Sequence, residues 1–490
     1  MENTHQTPLV TALTIAAAQP HAAFYTPGHK RGQGASAALQ KLVGPTALRG
    51  DLPELPGLDN LFAPEGPIAQ AQQLAAATFG AEATYFLANG STSGIEAAML
   101  AVSGPKSALL VPRNVHQSVL SGLVLSGAQP FYLAPIHHPD WDLALGITAA
   151  QVEQALTRHP EIRAVLLVSP NYQGVCADVA AIAQAAHRHG AVLIVDEAHG
   201  PHFGFHPRLP PSALMAGADV VVQSTHKVLG AMTQASMLHV QGPRVDRDRL
   251  TQALQMTQSS SPNYLLLASL DAARQQMAIA GTELMAETLV IAEQMRTQLA
   301  ELLPLRLLTP QALQSIEVSF CLDCTRLTID VSGLGLSGFA ADTFLHEVQQ
   351  VTAELPTLRQ LAFIISLGNR REEGDRLVAA FHALIEHSTQ LAPAAILECP
   401  RLMLPVVTQP VMTPREAFWT SSHVVPLDAA VGQLCQASLC PYPPGIPILL
   451  PGERITAEHL DYLLQVRRMG GVVTGIADPT WQTLRVLQPH

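Results

Sequence analysis

The sequence predicts an α/β protein: a large domain built on a mainly parallel central sheet, followed by a smaller α/β domain. Three observations carry this. Between residues 83 and 227, short apolar runs alternate with amphipathic helical patterns, strand then turn then helix. The strand-like runs are apolar throughout rather than every second residue, as in sheets covered on both faces. From about residue 310, short strands and helices resume after a long helical stretch.

Taken in order, residues 11–18 are alanine-rich and read as a short helix. The loop Tyr25-Thr-Pro-Gly-His-Lys-Arg-Gly32 is cationic, either a solvated loop or an arm over an anionic site. Residues 45–67 are proline-rich and irregular, and long irregular stretches in compact domains are often functional. A helix follows over 68–79, stopped by Gly80. Strands are expected at 83–87, 107–111, 129–133, 164–169, 191–195 and 219–224. Helices are expected at 95–102, 115–125, 149–158 and 178–189. Residues 243–305 read as helical, interrupted by Ser259-Ser-Ser-Pro-Asn-Tyr264. Strands at 315–320, 326–330 and 362–367 alternate with helices at 338–347 and 375–388, and a last helix is expected near 456–468. The division is an N-terminal arm (1–67), a large domain (68–305), a small α/β domain (306–397) and a C-terminal domain (398–490).

Composition limits the function. The chain has 490 residues, 48% hydrophobic and only 14% charged, with net charge −11. Such a chain buries a large core, and so little charge suggests further surface buried against a partner. The acidic balance and the lack of a basic run argue against nucleic acid. No long apolar run suggests a membrane span, and the N-terminus lacks a basic start and an apolar core for export, so a cytoplasmic protein is expected. The six cysteines are scattered, as in reduced intracellular proteins. Cys321-Leu-Asp-Cys324 is a lone C-x-x-C with no second pair to complete a zinc site.

Four stretches carry chemistry. Val220-Val-Val-Gln-Ser-Thr-His-Lys227 is a buried strand ending in a lysine, and catalytic groups in α/β sheets sit where strands end. Taken alone, Lys227 is an ordinary solvated lysine. Asn89-Gly-Ser-Thr-Ser-Gly94 joins a strand to a helix, so backbone N–H groups and the hydroxyls of Ser91 and Thr92 could hold a phosphate. It matches neither the nucleotide P-loop nor the dinucleotide fingerprint. Asp196-Glu-Ala-His-Gly200 places an acid at a strand end, where it could keep a heteroaromatic nitrogen protonated. His116 opens a helix and could stack on a flat ring. Together they fit pyridoxal 5′-phosphate: a cradle at Gly90, Ser91 and Thr92, a stacking ring at His116, an acid at Asp196 and a Schiff-base lysine at Lys227.

At these residues the chain resembles the fold-type-I ornithine/lysine/arginine decarboxylases, in the short form without a receiver-like domain. The shared stretches include Thr26-Pro-Gly-His-Lys30, Gly57-Leu-Asp-Asn60, Pro64-Glu-Gly-Pro67, Asn89-Gly-Ser-Thr92, Arg113-Asn-Val-His116, Val195-Asp-Glu-Ala-His-Gly200 and Ser224-Thr-His-Lys227. Further along are Ser261-Pro-Asn-Tyr264, Pro414-Arg-Glu-Ala-Phe418, Pro441-Tyr-Pro-Pro-Gly-Ile-Pro447 and Pro451-Gly-Glu453. The resemblance implies a pyridoxal-phosphate-dependent carboxy-lyase that decarboxylates a basic amino acid, arginine or lysine in preference to ornithine, to the corresponding amine. It implies that Lys227 carries the cofactor, Asp196 pairs with the pyridine nitrogen, and His116 and Ala198 cover the two ring faces. Ser91, Thr92, Ser224 and His226 would bind the phosphate, with His199 also at the cofactor. His226 or Lys227 would return a proton to Cα. The resemblance also implies a homodimer or larger, with the active site at the subunit interface and the Ser261 turn and N-terminal loop reaching the neighbour.

The substrate's distal cation needs an acid, and Asp51, Glu54, Glu398, Glu416 and Glu453 are candidates. The chain departs from the family pattern at Gly432-Gln-Leu434 and in Trp419-Thr-Ser-Ser-His423, which lacks an expected acid. Other fold-type-I activities (an aminotransferase or a carbon–sulfur lyase) and a non-catalytic regulator are the alternatives. A regulator would be expected to have lost Lys227 or Asp196.

Overall fold

The computed structural model describes residues 4–316, 318–390, 407–442 and 446–488. It divides into two compact units, Met1–Val102 with Ile194–Met285, and Ser103–Leu193 with Ala286–His490.

In the first unit, strand Ala83–Leu87 pairs antiparallel with Ser236–Val240, which pairs antiparallel with Val220–Gln223. That strand runs parallel to the end of Val192–Asp196, with Asp196 opposite Val222. Val220–Gln223 and Ser236–Val240 are buried at every position, which explains their predominantly apolar character. Helices Pro8–Ala18 and Pro67–Phe79 each begin on a proline, whose missing N–H costs nothing in a first turn. Leu9, Leu13, Ile68, Ala71 and Ala75 from these helices share a core with Phe86, Met237, Tyr264 and Leu267.

Asp271 fastens the N-terminal helix, accepting the Leu9 N–H at 3.0 Å. Arg274 pairs with Asp271 and donates to the carbonyls of Thr4 and Gln6.

The proline-rich segment is only partly irregular. Residues Ala37–Gly50 are helical, capped by Ser36 and kinked at Gly44, whose φ of 78° admits Pro45 behind it. The rest closes on Asp59, whose carboxylate accepts the N–H groups of Asn60, Glu65, Gly66, Ile68 and Ala69. The buried Tyr264 hydroxyl donates to the Asp59 carbonyl at 2.6 Å.

In the second unit, Ala108–Pro112 lies between the parallel strands Gln129–Leu133 and Ile162–Val168. A four-stranded antiparallel sheet follows, ordered Arg306–Leu307, Arg326–Asp330, Gln360–Ile364, Leu355–Pro356. Leucines and phenylalanines of helices Gly338–Glu347 and Arg371–Thr389 build its core. The C-terminal segment pairs Ser422–Pro426 with Thr483–Leu487 and Cys440–Tyr442 with Val472–Thr474, around helix Ala457–Arg468. Two small pairs escaped the sequence reading: the hairpin of Ile136–His138 with Leu143–Gly146, and Val175–Ala177 with Phe320–Leu322. The strand expected at 315–320 begins only at Phe320. Among the described residues, no helix is long and apolar enough to cross a membrane.

Candidate active site

In the first unit, the strand ends bring most of the singled-out residues together. Asp196 ends its strand, is 6% exposed, and accepts the Ala198 N–H on Oδ1 at 3.1 Å. One strand over, Gln223 gives way to Ser224 and the short helix Thr225–Val228, which carries His226 and Lys227. Lys227 Nζ lies 3.0 Å from His199 Nε2. The two groups cannot comfortably both be cationic at that distance, so the pair favours a neutral amine or a neutral imidazole. Ala198 is buried between Asp196 and His199 in sequence.

The cradle is tighter than the sequence suggests. Helix Gly90–Val102 starts at Gly90, so Ser91 and Thr92 lie in its first turn, where backbone N–H groups have no partner within the helix. Ser224 Oγ donates to Ser91 Oγ at 2.8 Å, joining the two hydroxyl-bearing segments. Gly94 lets this helix approach the sheet: a Cβ there would lie 2.6 Å from Leu87 Cδ1 and 2.9 Å from Val222 Cγ1. Asn89 Oδ1 accepts the Ser259 N–H at 3.2 Å, and Gln258 Oε1 accepts the Ala88 N–H at 2.9 Å, fixing the strand end.

His226 Nδ1 lies 3.0 Å from the Ala235 carbonyl and so carries a proton, leaving Nε2 as the titrating nitrogen. Burial, aided by the Lys227 charge, pulls its pKa down, against the Ala235 bond. At neutral pH His226 is a neutral ring, better suited to accept a proton than to deliver one.

Behind the strand ends runs a polar chain that the sequence reading missed. Glu197, 1% exposed, accepts the Ala213 N–H on Oε1 and the Gln223 amide on Oε2, both at 2.7 Å. Gln223 Oε1 lies 3.1 Å from His239 Nε2, and His239 Nδ1 lies 2.8 Å from Thr84 Oγ1. Burial pushes the Glu197 carboxyl up to about 8 and pulls His239 down to about 3. The available signal was a polar residue at a buried position in each of three apolar strands: Thr84, Gln223 and His239.

His116 lies in the second unit as the N-cap of helix Gln117–Ser126. Its Nδ1 accepts the Ser118 N–H at 3.2 Å, which puts the ring proton on Nε2. In the same unit Arg113 Nη2 meets Glu453 Oε2 at 3.1 Å, both side chains buried, and Glu453 also accepts the Leu450 N–H. Glu453 is therefore spent inside the fold. Glu416 is spent too, in a capping box with Thr413. Asp51 pairs with His29 Nε2 at 3.0 Å, Glu54 accepts from Asn60, and Glu398 lies outside the described residues. The cationic N-terminal loop turns inward: Lys30 donates to the Tyr25 carbonyl, and Arg31 to those of Ala17 and Gln19.

The donor set fits a phosphopyridine. Paired hydroxyls meet at a helix start, a buried acid ends one strand, and an amine held by an imidazole follows the next.

Comparison with known proteins bears on the family of the chain. The family model for the Orn/Lys/Arg decarboxylase major domain matches residues 7–373, and that for the C-terminal domain matches residues 399–479. An arginine decarboxylase of Bacillus subtilis is 38% identical over 485 residues, 99% of this chain and 98% of its own. An arginine decarboxylase of Halalkalibacterium halodurans is 38% identical over 491 residues, 100% of this chain and 99% of its own. Among solved structures, lysine decarboxylase A from Pseudomonas aeruginosa superposes with a TM-score of 0.86 at 25% identity, covering 98% of this chain and 80% of that one.

Proposed function

We propose, from the premise that the chain belongs to the Orn/Lys/Arg decarboxylase family, that its substrate is L-arginine and its product agmatine. Membership makes the chain a pyridoxal-phosphate-dependent carboxy-lyase of a basic amino acid, with the fold-type-I architecture and its mainly parallel central sheet. The arginine reading is supported by two relatives named arginine decarboxylase, each matched over essentially its full length.

When bound, the cofactor supplies an electron sink for the pair released as the Cα–carboxylate bond breaks. The residues of this chain hold and serve it. Ser91, Thr92, Ser224 and the first-turn N–H groups of helix Gly90–Val102 would hold the phosphate. Asp196, buried and anchored by the Ala198 N–H, would hold a proton on the pyridine nitrogen. Lys227 is the amine that would carry the cofactor, and His199 Nε2 accepts the proton it must lose. We assign the return of a proton to Cα to Lys227 rather than His226, whose charged form is disfavoured. Ala198 would cover a ring face. Asp51, which caps the end of helix Ala37–Gly50, and Glu54 would meet the guanidinium, which favours bidentate carboxylate contact. We further infer a cytoplasmic homo-oligomer. Large exposed apolar side chains such as Phe24, Leu42 and Met215 support association.

The test is CO2 and amine release from arginine, lysine and ornithine, with and without added cofactor. Arginine should be turned over preferentially, with agmatine as product; preference for lysine or ornithine would overturn the substrate assignment. Lys227→Ala should release no CO2 and retain no cofactor after borohydride reduction. Intact turnover by that variant would overturn the role of Lys227.

A further inference from the structure

The C-x-x-C motif pairs differently in space from its spacing. Cys321 sits directly opposite Cys176, on antiparallel strands Phe320–Leu322 and Val175–Ala177. Directly opposed residues of an antiparallel pair point to the same face, with Cα atoms about 4.5–5.5 Å apart, inside the 4.4–6.8 Å range that a disulfide spans. Cys324, by contrast, directs its thiol to the Leu322 carbonyl at 3.8 Å.

The two opposed thiols are unequal. Cys321 is exposed and Cys176 is buried. The Cys176 thiol donates to the Gly174 carbonyl at 3.6 Å, and its nearness to Cys321 lowers the Cys321 pKa; burial, Asp323 and Asp178 oppose this without cancelling it. The fully buried Arg326 guanidinium lies close enough to Cys176 for their charges to interact. The frame around them is stiff. Asp323 N–H donates to the Gly174 carbonyl at 2.8 Å, and a Cβ at Gly174 would lie 2.7 Å from Arg326 Cβ.

We propose that Cys321 and Cys176 form a thiol pair that hydroperoxides oxidise to a reversible disulfide, with exposed Cys321 oxidised first and buried Cys176 resolving it. The Cys321 thiolate attacks the peroxide oxygen. The O–O bond breaks, Cys321 becomes a sulfenic acid, and the alcohol (water, from hydrogen peroxide) leaves with a proton from solvent. The Cys176 thiolate then attacks the Cys321 sulfur, forming the S–S bond and expelling hydroxide, which is protonated to water. Two thiols lose two electrons to one peroxide. A thiol-based reductant reverses the bond.

The experiment treats the cofactor-loaded full chain with hydrogen peroxide, blocks remaining thiols and maps tryptic peptides by mass spectrometry. A Cys176–Cys321 linked peptide, lost on dithiothreitol treatment, is expected. With dimedone present, Cys176→Ser should accumulate the adduct at Cys321, Cys321→Ser should form no link, and Cys324→Ser should behave as the parent. Retained CO2 release shows that each variant is folded. A Cys321–Cys324 link overturns the proposal. So does sulfinic acid at Cys321 in the parent without any link, or no oxidation of either thiol by peroxide that oxidises free cysteine.

Discussion

Replacing Glu197 by Gln should make the protein more stable, and increasingly so as pH rises. Glu197 faces two donors, the Ala213 N–H and the Gln223 amide, so an ionised carboxylate is hydrogen-bonded but buried among apolar strands. A protonated carboxyl can also be satisfied. If the Gln223 amide turns over, Glu197 donates to its oxygen, its nitrogen donates to His239 Nε2, and His239 Nδ1–H donates to Thr84 Oγ1. The glutamine of the E197Q variant would occupy this reversed chain as the protonated acid does. Burial holds the carboxyl's pKa at about 8, against about 4.5 in an unfolded chain. The folded state therefore keeps the proton where the unfolded state has released it, and stability falls as pH rises from about 4.5 to about 8. At ~1.4 kcal/mol per unit, this amounts to roughly 5 kcal/mol across the window. Gln has no proton to lose, so E197Q should exceed the parent by about 1 kcal/mol at pH 5, about 3 at pH 7 and nearly 5 at pH 8.5. Urea denaturation of both proteins across this range reads the difference, in which every other titrating group cancels. A Gln variant weaker than the parent at pH 8.5, or a difference independent of pH, would refute the reasoning and mean that the two donors stabilise the anion.

Three further outcomes follow from the geometry. Asp196→Asn should retain cofactor but lower CO2 release by about 10²–10³, because an amide cannot hold the pyridine proton by charge; kcat for CO2 release measures it. Gly94→Ala should cost about 1–3 kcal/mol in urea denaturation and loosen cofactor retention on dialysis, because the new methyl group meets Leu87 and Val222. Arg113→Met should cost about 3–5 kcal/mol by leaving the buried Glu453 carboxylate unpaired, and adding Glu453→Leu should recover most of the loss in the same denaturation measurement.

Much of the large α/β framework was legible because its signal is local. The strand over 220–223 opens with three valines, and the helix over 149–158 is announced by amphipathic spacing. Lys227, Asp196, Ser91 and Ser224 could be singled out because each sits where an apolar run stops. The losses have physical causes. Gly44-Pro45 hid the helix Ala37–Gly50, since those residues usually end a helix rather than bend it. The hairpin strands Ile136–His138 and Leu143–Gly146 are too short to show a period. The Glu197 chain joins residues from separate strands far apart in sequence, so no spacing reveals it. Glu453 looked like a substrate acid because its partner, Arg113, lies 340 positions away in sequence. The cross-strand cysteine pair was masked by a nearer cysteine with a familiar spacing.

The Asp59 carboxylate has a consequence for how the proline-rich segment behaves over time. Its bonds reach the amides of residues 60, 65, 66, 68 and 69, so one side chain both closes the loop and caps the helix Pro67–Phe79. The donors at residues 60 and 65 meet one carboxylate oxygen and those at 66, 68 and 69 the other, so all five depend on one side chain. Loss of that one side chain is therefore expected to release the loop and the start of the helix together, which hydrogen exchange on Asp59→Ala would show as joint loss of protection at residues 60–69. Its prolines narrow the open ensemble as well, so closing again requires less ordering than the length of the segment suggests. A stretch with no repeating structure can thus fix where the helix Pro67–Phe79 begins, although the residue at its N-cap, Gly66, has no side chain to cap it.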